Sequence, residues 1–444
     1  MKKKVGLVSL GCPKNQCDAE LMLRKLYDAG FELAEDAAMA DCAIINTCGF
    51  IESAKSEAIN EILELAALKS EGKIGKILVT GCLSQRYQQE LMQELPEVDG
   101  VLGTGSYTDV VRAMDELLEG GKPAYFGDIN DTEEEISRVL TTPEYFAYLK
   151  IAEGCDNRCS YCVIPSLRGR YRSRPMDKLL AEAKELVANG AKELIVIAQD
   201  TSRYGTDLNG ERQLPELLRR LCRIDGLQWV RVHYLYPDEI TDELIDVIAN
   251  EEKIVKYLDI PIQHVNDAIL KRMNRRGDKA WLEALFTKLR ERIPGVVIRT
   301  SLITGLPGEG EAEFEELCDF LRRHRLERVG CFAFSPEEGT PAAAMDYPDS
   351  EVAMHRADII DELQSRIMDD YNAAHIGKAM TVLVEGFDRI VEIWFGRTYA
   401  DSPDIDGKVF FTSTKPLQEG SFVTVYIDDE MDGNLTGYVL EDEK

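Results

Sequence analysis

The chain has 444 residues, room for about three domains of about 150 residues each, and is 44% hydrophobic and 30% charged. That composition can bury large cores and excludes a disordered polymer. The formal net charge of −28 argues against holding nucleic acid by bulk electrostatics, because phosphate binding needs Lys and Arg to replace counterions; it fits solubility in a cytoplasm or a strongly basic partner.

No run of about 18 apolar residues occurs, so no membrane span is expected. Lys2-Lys3-Lys4 precedes only a short apolar run, Val5 to Leu10, which ends in Gly11-Cys12-Pro13 without a small-residue cleavage site. A signal peptide is therefore not expected, and a cytoplasmic location is. Eleven cysteines, an odd number, favour metal binding over a disulfide framework.

Lys4 to Leu10, Cys42 to Asn46 and Lys76 to Thr80 read as strands. About Asp18 to Asp28, Ile51 to Lys69 and Gln85 to Glu94 read as helices between and after them. The alternation predicts a parallel α/β sheet domain over 3–118. Gly120 to Thr142 is polar and acidic, with Asp131-Thr132-Glu133-Glu134-Glu135, and places a linker over 119–140. Six further strands are expected at Phe146 to Ile151, Glu193 to Ala198, Trp229 to Leu235, Tyr257 to Ile260, Val296 to Ile303 and Arg328 to Phe334. They predict a partial (β/α)6 barrel over 141–374, two units short of the closed form. A helix from Ser350 to Ala374 ends the series. Five short β-like runs follow, Thr381 to Val384, Ile390 to Thr398, Gly407 to Phe411, Phe422 to Ile427 and Thr436 to Leu440. They predict a small antiparallel barrel of the OB kind over 377–444.

The strongest local signal is Cys155-Asp156-Asn157-Arg158-Cys159-Ser160-Tyr161-Cys162, spaced Cys-x3-Cys-x2-Cys. Three thiolates on one loop hold three irons of a [4Fe–4S] cluster and leave the fourth open. Zinc more often takes paired Cys-x2-Cys arms with a nearby Cys or His arm, and the nearest histidine here is His233. The loop follows the first barrel strand, on the side where barrel active sites form. Cys12, Cys48 and Cys82 each fall just past a predicted strand and beside a glycine, Gly11, Gly49 and Gly81. A parallel sheet brings such loops to one edge, where a second, three-ligand cluster fits; small residues buried at strand ends are the plain alternative. Cys17, Cys42, Cys222, Cys318 and Cys331 read as structural. Arg168, Arg170, Arg172 and Arg174 either pair with the abundant acids or contact an anionic group. Two glycine-bearing segments, Asn189 to Glu193 and Arg299 to Glu309, border barrel strands. The five histidines are scattered, and no Ser–His–Asp or Cys–His arrangement is legible.

Across its whole length the chain resembles the radical S-adenosylmethionine (SAM) methylthiotransferase family. The resemblance rests on the Cys155, Cys159, Cys162 loop, the Cys12, Cys48, Cys82 set and the C-terminal barrel, which resembles a TRAM domain. Within the family, Ser9-Leu10-Gly11-Cys12-Pro13-Lys14-Asn15, Gln199 to Gly205, Tyr234-Leu235-Tyr236-Pro237, Tyr257 to His264 and Asp401 to Gly407 resemble the branch that modifies a ribosomal protein. The branch that modifies tRNA would favour Gly-Cys-Gln-Met-Asn at the first cysteine, although Ser335 to Pro341 suits it too. The resemblance implies an α/β protein: a parallel α/β sheet domain, a TIM-like radical SAM barrel and a TRAM barrel.

It further implies two [4Fe–4S] clusters, one on Cys155, Cys159 and Cys162 whose open iron binds SAM, and an auxiliary one on Cys12, Cys48 and Cys82 that carries sulfur. Gly190, Glu193, Arg299 and Gly305 are expected SAM contacts. One-electron cleavage of SAM would open the β-carbon of an aspartate in small-subunit ribosomal protein twelve to sulfur insertion, and a second SAM would supply the methyl group. An electron donor such as flavodoxin or ferredoxin and a monomeric state are expected. The C-terminal region carries six basic against fourteen acidic residues, net −8, which suits a basic protein substrate better than tRNA. The alternatives are tRNA methylthiolation, an electron-transfer iron–sulfur protein, and a ribosome-binding factor; the last does not explain six ligand-competent cysteines.

Overall fold

The computed structural model describes residues 3–131 and 137–440. Thr132 to Glu135 of the acidic connection, and the last four residues of the expected C-terminal domain, lie outside the described residues.

The first sheet contains β1 (Lys4–Ser9), β2 (Glu32–Leu33), β3 (Cys42–Thr47), β4 (Lys76–Gly81), β5 (Gly100–Leu102) and β6 (Ala124–Tyr125), all parallel in the order β2-β1-β3-β4-β5-β6. Strand β3 is buried at every position, as a parallel strand covered on both faces must be. Ile45 and Val79 pack on Ala58 and Ile62 of α2 (Glu52–Ser70); Ile44 and Leu78 meet Met22 and Leu26 of α1 (Pro13–Asp28) on the other face.

Helix α1 begins at Pro13 rather than near Asp18, because proline suits the first helical turn and Cys12 takes the N-cap. The single helix expected over 85–94 is two short ones, α3 (Cys82–Tyr87) and Gln89–Glu94, broken where Gln88 adopts φ +49°. The strand β6 lies inside 119–140, so that segment is not wholly a connection. Strands this short carry no period to read.

The second sheet begins with β7 (Phe146–Lys150). A small antiparallel ladder of β8 (Ala152–Glu153) and β9 (Arg172–Ser173) closes the loop between them. Then come β10 (Glu193–Ile197), β11 (Trp229–Val232), β12 (Ile254–Asp259), β13 (Val297–Thr304) and β14 (Arg328–Ala333). The order β14-β13-β12-β11-β10-β7 is parallel throughout, with β7 and β14 unpaired to each other: a six-unit open barrel, as expected. Leu194, Val196, Val230 and Val232 point outward into the crossover helices through Leu179, Leu217 and Leu244.

The third unit is a closed barrel of β15 (Ala379–Asp388), β16 (Ile393–Arg397), β17 (Val409–Thr412), β18 (Phe422–Met431) and β19 (Asn434–Val439). It is not wholly antiparallel: β17 and β19 run parallel. A ring with an odd number of strands cannot alternate direction all the way round, so one pair must be parallel.

The third unit seals the N-terminal end of the second. Glu193, the first residue of β10, pairs with Arg231 at 2.8 Å and with Arg397 of β16, and Trp229 meets Phe422 edge-on at 4.8 Å. The first unit docks at the opposite end. There Asp18 of α1 pairs with Lys150 at 2.5 Å and with Arg168 at 2.6 Å, both buried.

Candidate metal and radical centre

The loop carrying Cys155, Cys159 and Cys162 leaves β8 at the C-terminal mouth of the open barrel. Gly154 starts it at φ +77°, where a Cβ would lie 2.0 Å from the Arg170 carbonyl oxygen, so no larger residue fits. The loop is clamped to the segment 272–276. Ser160 N–H donates to the Met273 carbonyl at 3.0 Å, Ser160 Oγ to the Arg272 carbonyl at 2.9 Å, and Asn274 Nδ2 to the Arg158 carbonyl at 2.9 Å.

Arg275, buried, donates from Nη1 to Cys159 Sγ at 3.7 Å and to the Tyr161 hydroxyl at 3.2 Å, and from Nη2 to the Pro261 carbonyl at 2.6 Å. Its guanidinium stacks 4.5 Å from the centroid of Tyr236, whose hydroxyl is 3.7 Å from the same sulfur. Burial pushes the Cys155 thiol up to about 11; burial, then its neighbour Cys159, push Cys162 up as well. Neutral thiols are costly to ionise here, and ligation to a metal supplies the charge that makes the thiolates stable.

Cys12, Cys48 and Cys82 meet at the carboxyl edge of β1, β3 and β4. A Cβ on Gly11 would stand 2.8 Å from Cys48 Cβ, one on Gly49 2.7 Å from Leu83 N, and one on Gly81 2.4 Å from the Thr47 carbonyl oxygen. The three glycines let the thiol loops close on one another. Burial pushes Cys82 up to about 12, against the pull of Arg168; Cys48 is raised by burial and then by Cys12.

The two triplets are neighbours. Cys82 packs on Val163 and Leu167, directly after Cys162 in the chain. Arg168 of that same stretch pairs with Asp18 and with Glu153 and donates to Asn15, whose Oδ1 is 3.7 Å from Cys82 Sγ. Among the described residues, no three Cys, His, Asp or Glu side chains converge tightly enough for one metal ion. Thiols on a cluster each take a separate iron, so an all-sulfur set spread over three loops fits a cluster better than zinc.

The arginine run splits. Arg174 pairs with Glu182 at 2.6 Å, the plain ion-pair reading, while Arg168 stands beside the second triplet. Of the other cysteines, Cys17, Cys42, Cys222 and Cys318 are buried apart from the triplets, and Cys331 is half-buried in β14.

Of the four expected SAM contacts, two lie away from the thiol loops. Gly190 and Glu193 lie at the N-terminal end of β10, opposite the thiol loops, and Glu193 is consumed by Arg231 and Arg397. Arg299 pairs with Asp259 at 2.8 Å. Gly305 does follow the C-terminal end of β13, but a Cβ there would stand 2.3 Å from Ala353 Cβ, so it serves helix packing. A glycine-rich segment before a strand and one after it look alike in sequence yet lie at opposite ends of the barrel.

The groups that bridge the two centres were not singled out by residue chemistry. Tyr234 faces Lys14 beside Cys12, and Tyr236 touches Cys159, so Tyr234-Leu235-Tyr236 spans the gap. Their only sequence signal was the Tyr234 to Pro237 block.

This barrel and its thiol loop define the radical SAM class. Residues 149–321 match the Radical SAM superfamily, 4–103 the Uncharacterized protein family UPF0004, and 376–440 the TRAM domain. Among solved structures, the radical SAM methyltransferase TsrM of Kitasatospora setae has a TM-score of 0.55 at 16% identity, covering 77% of each chain. The cobalamin-dependent SAM radical enzyme OxsB has a TM-score of 0.53 at 12% identity, over 82% of this chain and 56% of its own. Both likenesses concern the fold. The "Ribosomal protein uS12 methylthiotransferase RimO" of Lachnoclostridium phytofermentans is 48% identical over 98% of this chain and 99% of its own. The protein of the same name from Pelotomaculum thermopropionicum is 49% identical over 98% of each. The chain belongs to the RimO methylthiotransferase family. No helix among the described residues is long and apolar enough to cross a membrane.

Proposed function

We propose that the protein is a radical-SAM methylthiotransferase that converts an aspartate of ribosomal protein uS12 to its β-methylthio form. The observation that carries this reading is the packing of Cys82 against Val163 and Leu167, which sets two all-thiol triplets side by side at the barrel mouth. Cys155, Cys159 and Cys162 hold the cluster that binds SAM, and Cys12, Cys48 and Cys82 hold the auxiliary cluster. When bound, these groups supply the one-electron cleavage of SAM, the sulfur and the methyl group.

The chain's own side chains aim and insulate that chemistry. Arg275 and Tyr236 fix the Cys159 sulfur and place positive charge beside it. The clamp from Arg272 to Asn274 holds the loop rigid, and Tyr234-Leu235-Tyr236 walls the space between the centres. An acidic C-terminal module complements a basic ribosomal protein. A small redox protein such as flavodoxin or ferredoxin delivers the electron, and the chain works as a monomer.

The test is anaerobic reconstitution followed by assay on purified uS12. The expected result is about eight irons per chain and a uS12 fragment heavier by one methylthio group in place of hydrogen on aspartate. Tight zinc binding with no iron uptake, or modification of tRNA with uS12 untouched, would overturn the reading.

A further inference from the structure

Lys14 lies in the first turn of α1, two residues after Cys12, and is 9% exposed. Its Nζ stands 3.5 Å from the ring centroid of Tyr234, which follows β11 at the barrel mouth. No carboxylate among the described residues forms an ion pair with it. The nearest acid, Asp259, is engaged at 2.8 Å by Arg299. The phenol of Tyr234, the thiol of Cys12 and the buried ring of His233 stand around it. Its ammonium thus has aromatic and sulfur neighbours but no carboxylate partner among the described residues. Buried ions are normally paired, because desolvation makes a lone one costly.

Tyr234 is itself unusual. It adopts φ +60°, a left-handed conformation that bulky residues rarely accept and that accumulates at functional sites. The surrounding fold spends strain to keep an aromatic face under the ammonium. A cation held on a ring retains N–H groups for an incoming acceptor.

We propose that Lys14 is the binding residue for the substrate's side-chain carboxylate, and so selects an anionic aspartate within a peptide. The inference rests on the function proposed above and deepens it. The carboxylate carbon of aspartate is bonded directly to the β-carbon that is modified. A cation gripping that carboxylate beside Cys12 therefore sets the β-carbon between the second thiol triplet and the Cys159–Tyr236 pair. Glutamate would present the wrong carbon there, and asparagine would lose the charge pairing.

The test uses full-length reconstituted protein and two uS12 peptides, one with the target aspartate and one with asparagine in its place. Methylthiolation kinetics, peptide affinity by fluorescence anisotropy, and iron content are measured for the wild type, Lys14→Met and Lys14→Arg. The wild type is expected to prefer the aspartate peptide by about 100-fold in kcat/KM, the scale of a charge-assisted pair in a dry site. Lys14→Met should erase that preference, mainly through weaker aspartate-peptide binding, with iron content unchanged. Lys14→Arg should restore part of it. Lys14→Gln, which keeps the stem, replaces the methionine variant if that loses iron.

Retained preference in Lys14→Met overturns the inference while leaving the proposed function intact. So does equal loss on both peptides at unchanged affinity, which would assign Lys14 to sulfur carried by the second centre. A wild type that modifies neither the peptides nor intact uS12 removes the proposed function, and the inference with it.

Discussion

Glu193 separates two accounts of one residue: a SAM contact, as its glycine-rich neighbourhood led us to expect, or the keystone joining the TRAM barrel to the open barrel. Glu193 and Arg231 are fully buried, Arg397 is 1% exposed, and among the described residues Glu385, 2.6 Å from Arg397, is the other acid in the group. Glu193→Gln therefore leaves two buried guanidiniums facing one carboxylate. Breaking a buried pair from one side costs about 3–5 kcal/mol, since the surviving charge is still desolvated. The loss should appear as faster hydrogen exchange in β10 and β16 and earlier thermal release of the C-terminal barrel. SAM affinity should stay at the wild-type value.

Burial alone would raise the Glu193 carboxyl, but Arg397 and then Arg231 outweigh it and hold it below 4.5. A lowered folded-state value means that its contribution is complete above the ordinary carboxylate range and fades as pH falls through the folded-state value. The difference between wild type and variant should therefore be level at neutral pH and shrink in acid below 4.5. Replacing Glu193, Arg231 and Arg397 together by apolar residues of similar volume should recover much of the loss. A variant that unfolds like the wild type but binds SAM ten-fold or so more weakly would refute the structural account.

Three other outcomes are expected. Cys82→Ala should hold about four irons rather than about eight, still cleave SAM, and insert no sulfur; iron analysis and product chromatography check this. Arg275→Met removes a positive charge beside Cys159 Sγ and should lower the midpoint potential of the SAM-binding cluster by about 60 mV, read by redox titration with electron paramagnetic resonance. Gly81→Ala would place a Cβ 2.4 Å from the Thr47 carbonyl at φ +97°, so the second centre should take up iron poorly while the first loads normally; Mössbauer quantitation separates them.

The six ligand-competent cysteines, the alternating strands and helices, and the change to short β runs after Gly377 were legible in the chain itself. Cysteine spacing within one loop is a local property, and period and turn residues report the elements they belong to. Two short helices in place of one after Cys82, the edge strand Ala124–Tyr125 and the parallel β17–β19 pairing were not. Each depends on partners far away in sequence or on backbone closure. The same limit explains why Gly190 and Glu193 lie away from the thiols. Gly190 and Glu193 border a strand, but only the folded barrel says which end of that strand faces the thiols and which faces Arg397.

What sequence alone determined is the chemistry each segment can carry: two sets of three thiols, a barrel to present one of them and an acidic terminal module. Tertiary structure decided which of those groups meet. It packs Cys82 on Val163, seats Lys14 on Tyr234 and lays Arg275 against Cys159, pairings separated by 81, 220 and 116 positions along the chain. Such contacts leave no local pattern, because their energy comes from removing both partners from water at once, and that happens only when the sheets and barrels are already in place.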